Sequence, residues 1–115
     1  MNFVVDRNEN YAVISAKIEK LDTSVAPELK SEAVLLDKEG QHNLIIDLSE
    51  ARYCDSSGLS ALLVANRLTK AAEGRLVICG LQPAVEKLIQ ISQLHTVLNI
   101  TTNANEAVDF LSQKS

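Results

Sequence analysis

Residues 43–72 read NLIIDLSEARYCDSSGLSALLVANRLTKAA, and the fold follows from how the two apolar stretches in this segment differ. Asn43 to Leu48 is a compact run rich in branched residues, with the length and composition of a buried strand. Leu59 to Ala72 carries apolar residues at nearly every helical phase, which predicts a buried helix. Between them, Asp55-Ser56-Ser57-Gly58-Leu59-Ser60 is a short acidic and hydroxyl-rich turn. It puts two serines in the first turn of the helix, where unpaired backbone N–H groups and the positive end of the helix dipole gather. Function is expected to sit in that turn.

Working outward, strands and helices keep alternating. Phe3 to Val5 is a short apolar run, followed by a polar turn, Asp6-Arg7-Asn8-Glu9-Asn10. Tyr11 to Ile18 then alternates, with Ala12, Ile14, Ala16 and Ile18 against Tyr11, Val13, Ser15 and Lys17, which predicts a hairpin with one apolar face. Thr23 or Ser24 can cap a helix that has Pro27 in its first turn, ends before Gly40 and carries Val25, Leu29, Ala33 and Leu36 on one stripe. After a stop near Gly74, Arg75 to Cys79 reads as a strand closed by Gly80. Pro83 opens a helix whose Val85, Leu88, Ile89 and Ser92 share a face; Val97 to Ile100 reads as a last strand. Thr102 or Asn103 caps a final helix carrying Ala107, Val108 and Leu111.

The order is ββαβαβαβα. Strands separated by amphipathic helices imply parallel pairing with right-handed crossovers, and the leading hairpin adds an antiparallel pair. The expected fold is α/β, a mixed β-sheet covered by about four α-helices. No linker, low-complexity segment or internal repeat interrupts it, so residues 1–115 are expected to form a single domain.

Bulk properties narrow the functional classes. The 115 residues suffice for one core, and 46% of them are apolar, but with no Trp, two Phe and two Tyr that core must be aliphatic and Ala-rich. A net charge of −4 with both signs interspersed argues against nucleic acid, which calls for a basic face. No apolar stretch approaches the ~18 residues of a membrane span, and MNFVVDRNEN lacks the basic start and apolar centre of a signal peptide, so a cytoplasmic location is expected, without membrane insertion. Cys54 and Cys79 lie far apart beside apolar residues and read as buried free thiols. His42 and His95 are isolated, no nucleophile–His–acid spacing stands out and no Gly-rich phosphate loop is present; no catalytic residue, metal site or cofactor is expected. Asp47 reads as a polar residue at a strand end.

The strand with Asp47 and Leu48, the Asp-Ser-Ser-Gly-Leu turn, the segment RLVICGLQPAV and the helix ending Ile-Gln-Ile-Ser-Gln-Leu-His together resemble a STAS domain, the fold of bacterial anti-sigma-factor antagonists and of the cytoplasmic tails of sulfate transporters. The resemblance covers nearly the whole chain. It implies that Ser57, the second serine of the turn, is phosphorylated by a serine kinase that is also the anti-sigma factor, with a serine phosphatase as a further partner. It implies a secondary role for Asp55 in positioning the acceptor serine or the kinase nucleotide. It also places the junction at Asp22-Thr23-Ser24 beside the turn, so that Asp22, Thr23, Asp55, Ser56, Gly58 and Leu59 would form the partner-binding surface. The family commonly shows Gly-Glu-Leu-Asp where this chain has Glu19-Lys20-Leu21-Asp22, so Glu19 adds bulk and Lys20 reverses a charge.

Plainer readings stand beside these. Asp-Ser-Ser before an apolar helix is a good capping sequence in itself, and Asp22 is another helix-start carboxylate. Ser56 is the alternative acceptor, Ser60 reads as a helix-surface or packing residue, and Gly58 either admits another backbone or relieves crowding. The expected function is an anti-sigma-factor antagonist: a regulatory protein-binding module, not an enzyme, switched off by phosphate on Ser57. The alternative is a STAS accessory subunit of an ABC-type lipid-transport ATPase, docking constitutively through the same helix face.

Overall fold

The structure is a computed structural model, and it describes residues 1–113. Its elements are β1 (Phe3–Arg7), β2 (Ala12–Ala16), β3 (Lys20–Leu21), α1 (Ala26–Lys38), β4 (Leu44–Asp47), β5 (Tyr53–Cys54), α2 (Ser56–Ala71), β6 (Leu76–Cys79), α3 (Pro83–Ile91), a single 3-10 turn (Leu94–Thr96), β7 (Asn99–Thr101) and α4 (Ala104–Ser112). Apart from the two-residue strands β3 and β5 and the 3-10 turn, this is the ββαβαβαβα order expected from the sequence.

Five strands form one sheet in the order β1-β2-β4-β6-β7. β1 runs antiparallel to β2, and the remaining pairs are parallel. The register explains why the branched residues lie where they do. Val5, Ile14, Ile46, Ile78 and Ile100 face one another across all five strands. They form the floor of the main core, which α1, α2 and α3 close with Leu29, Leu36, Leu62, Val85 and Ile89. One residue along, Val13, Ile45 and Val77 align on the opposite face. There they meet α4 through Ala107, with Cys79 and the half-buried Val108 and Leu111. Three helices thus cover one face and one covers the other. This is why β4 and β6 are apolar without alternation: both of their faces are buried.

Some local expectations shift. Asp6 and Arg7 belong to β1, paired with Val13 and Ala12; an edge strand tolerates them because their side chains reach solvent. Neither Thr23 nor Ser24 caps α1, which starts after Val25 without a side-chain cap. The circumference of α2 is only partly buried: Gly58, Leu59, Ala61, Leu62, Ala65, Asn66 and Thr69 face inward, while Arg67 and Lys70 are exposed. Ser92 is exposed at the end of α3 rather than on its packed face. The last strand starts two residues later than expected because the 3-10 turn takes up Leu94 to Thr96 and leaves Val97 at the surface. Of the two candidate caps for α4, Asn103 does the capping, accepting from the Glu106 N–H at 2.9 Å.

Candidate functional site

Asp55 is extended and forms the N-cap of α2; its Oδ1 accepts from the N–H groups of Ser57 at 2.9 Å and Gly58 at 3.1 Å. One carboxylate oxygen therefore satisfies two of the unpaired donors at the helix start and places negative charge at the positive end of the dipole. Ser56 and Ser57 occupy the first two helical positions, Ser56 exposed and Ser57 half-buried.

The short parallel pair β3–β5 brings a second segment to this turn. Leu21 pairs with Cys54, the Leu21 carbonyl accepts from the Asp55 N–H at 3.3 Å, and the Glu19 carbonyl accepts from Arg52 at 2.7 Å and Tyr53 at 3.1 Å. Beyond Leu21, the Asp22 Oδ1 takes the Ser24 N–H at 3.0 Å and the Ser24 hydroxyl at 2.6 Å, while its carbonyl accepts from Val25 and Ala26. These bonds, the Ser24 hydroxyl first, hold the Asp22 carboxyl below its ordinary value. They also explain why Ser24 does not cap α1: its hydroxyl and N–H are already committed to Asp22. The bend aims Thr23 at the start of α2, where Thr23 Oγ1 and Ser57 Oγ lie 3.0 Å apart in a hydroxyl–hydroxyl hydrogen bond.

Gly58 is where the two segments come closest. A Cβ placed there would meet the Leu21 carbonyl oxygen, the Cys54 Sγ at 2.6 Å and the Leu21 Cγ at 2.8 Å. Of the two readings left open for this glycine, close approach of another backbone is the one the structure carries. Leu59 stands apart from the other candidates. It is only 8% exposed and belongs to the main core, so it supports the turn from beneath. Asp22, Thr23, Asp55, Ser56 and Gly58 converge on one patch; Glu19 and Lys20 are exposed beside it.

An open groove between the starts of α1 and α2 is lined by Thr23, Pro27, Lys30, Ser56, Ser57 and Ser60. Lys30 was not among the residues singled out from the sequence. Its only signal was its place one turn after Ala26, on the edge of α1 that faces α2. Among the described residues, the Ser57 hydroxyl is bonded to Thr23 rather than to a base, and Asp55 and Asp22 each commit their Oδ1 to backbone or Ser24 donors rather than to Ser57. A hydroxyl placed so is accessible but not activated by its own chain, which suits an acceptor for a group delivered by another protein's active site. Cys54, half-buried under the turn, is pushed up to about 11 by burial and then by the Asp55 carboxylate, so it remains a thiol at neutral pH.

The family model described as the STAS domain matches residues 2–107. The anti-sigma-B factor antagonist of Bacillus subtilis is 28% identical over 109 residues, covering 94% of this chain and 99% of that one. The anti-sigma F factor antagonist of Paenibacillus polymyxa is 23% identical over 111 residues, 94% of each chain. In fold, an anti-sigma-factor antagonist (STAS) domain protein from Planctomyces limnophilus superposes with a TM-score of 0.88 at 18% identity, over 96% of this chain and 98% of its own. A mixed sheet with three helices on one face and one on the other, joined to a sequence match that runs through both the 22–24 bend and the capped serine turn, places this chain in the STAS domain family.

Proposed function

We propose that this protein is an anti-sigma-factor antagonist: a cytoplasmic regulatory module that binds a serine-kinase anti-sigma factor through the surface around Ser57 and loses that partner when Ser57 is phosphorylated. One observation carries the reading. Ser57 stands at the second position of a helix capped by Asp55, its hydroxyl presented against Thr23 with no base of its own. The names of its relatives, anti-sigma-B and anti-sigma F factor antagonists, support the class of partner.

The physical consequence of modification is local. A phosphate adds about −1.5 to −2 charges at the helix start, where the dipole and free N–H groups tolerate it. The fold therefore persists while the surface gains negative charge and bulk, and a partner fitted to the neutral hydroxyl is expelled without refolding. In this scheme the protein is a substrate of a kinase, and a serine phosphatase would restore the binding form.

Incubation with the cognate kinase and ATP, read by mass spectrometry, is expected to show one phosphate on Ser57 and none in Ser57→Ala. Phosphate persisting on the variant would sink the assignment. Affinity for the kinase, measured by calorimetry, should fall by more than about tenfold on phosphorylation, or about 1.4 kcal/mol. Equal affinity of the two forms would instead indicate constitutive docking, as for an accessory subunit of a lipid-transport ATPase.

A further inference from the structure

A second groove runs along the other side of α2. Its floor is apolar, made of Leu59 and Leu63 from α2 and of Leu94 and Val97 from the segment after α3. Val97 is 43% exposed. At the far end of α2 the groove is edged by Arg67 and Lys70, and its lining contains no carboxylate. This is unexpected in a chain with 15 acidic against 11 basic residues and a net charge of −4. Neither cation takes part in an ion pair among the described residues, whose pairs are Arg7–Glu39 and Lys17–Glu50.

We infer that this groove is a docking slot for an amphipathic helix of a partner protein, whose apolar stripe lies over Leu63, Leu94 and Val97 and whose acidic residues meet Arg67 and Lys70. Shape, backbone chemistry and charge each favour that occupant. The slot follows α2 from Ser56 to Lys70, about 21 Å at 1.5 Å per residue, which matches a helix of about four turns. One wall is α2 and the other is the Ser92–Val97 segment with its 3-10 turn, and no strand residue is among the lining; an incoming strand would find no ladder partner in the lining, whereas a helix satisfies its own backbone. A second copy of this chain docking groove to groove would bring no carboxylate from its own lining to Arg67 and Lys70, so the charge calls for an acidic partner rather than a homodimer. The slot does not depend on modification of Ser57, and its failure would leave the phosphorylation reading standing.

The test uses the unmodified full chain, labelled with 15N, and a side-chain-stapled 15-residue helix with leucines at i, i+4, i+7 and i+11 flanked by glutamates. Two-dimensional NMR titration should shift signals along α2 and the Leu94–Val97 segment. A peptide with lysines for the glutamates should bind at least tenfold more weakly. The double variant Arg67→Glu/Lys70→Glu should invert that preference, an exchange that a folding defect cannot produce. The inference is overturned if the acidic peptide causes no shifts, if both peptides bind alike, or if the shifts centre on the exposed Val34 and Leu35 of α1. Decanoate occupying the groove in preference to the peptide, or dimerisation seen by sedimentation that moves the same signals, would also overturn it.

Discussion

Gly58 occupies the third helical position of α2, and general helix propensity would favour replacing it with alanine by roughly 0.5–1 kcal/mol. Local geometry reverses that sign. The added methyl would press on the Leu21 carbonyl oxygen and the Cys54 sulfur, which are held by the β3–β5 pairing. Gly58→Ala is therefore expected to destabilise the protein by about 1–3 kcal/mol in urea unfolding, the usual cost of overpacking, with NMR shift changes centred on Lys20 and Leu21. A neutral or stabilising result would show that the two segments give way easily. The thiols make a second prediction at this scale. Burial raises Cys54 to about 11 and Cys79 to about 12, against roughly 8.5 for a free thiol. Between those values the unfolded chain has released protons that the folded chain retains. This contribution to stability is complete below about pH 8 and is lost as pH rises toward 11. The urea midpoint should fall between pH 8 and 10.5, and the fall should be smaller in a Cys54→Ala/Cys79→Ala variant compared with wild type over the same range.

Among the elements, α2 is best specified by its own sequence. Asp-Ser-Ser ahead of an apolar run announced the cap, and Asp55 provides it through two backbone donors. Asp55→Ala should cost about 1 kcal/mol, within the 0.5–2 kcal/mol range of lost caps, whereas Ser56→Ala at the exposed first position should change the urea midpoint little. Equal losses from both would deny Asp55 its capping role. The strands β3 and β5 were illegible in the sequence for a physical reason: two-residue strands have no periodicity, and their pairing depends on contacts across thirty-three positions, as in Leu21 with Cys54. The start of α1 was misplaced for a related reason. Thr23 and Ser24 both have capping chemistry, but Asp22 captures Ser24 and the bend turns Thr23 toward Ser57. Side chains that could serve either the backbone or one another do not declare their choice in a linear reading.

At the scale of the molecule, α4 is the one helix among the described residues that packs on the second face of the sheet. Ala107 of α4 is fully buried against Ile45, Val77 and Cys79. Ala107→Asp would bury an unpaired carboxylate there and is expected to cost about 3–5 kcal/mol or to prevent folding, read from soluble yield and urea unfolding. Asn105→Asp, on the exposed side of the same helix, should leave both nearly unchanged. The amino-acid sequence by itself determined the alternation of strands and helices, the mixed sheet and the Asp55 cap, because apolar period and capping chemistry act over a few neighbouring residues. Only the tertiary structure decided that α4 stands alone on its face, that Gly58 is pressed by Leu21, that Leu59 is core, and that the Thr23 hydroxyl meets Ser57. Each of these depends on which distant segments the strand register brings together, and register is set by the packing of the whole sheet.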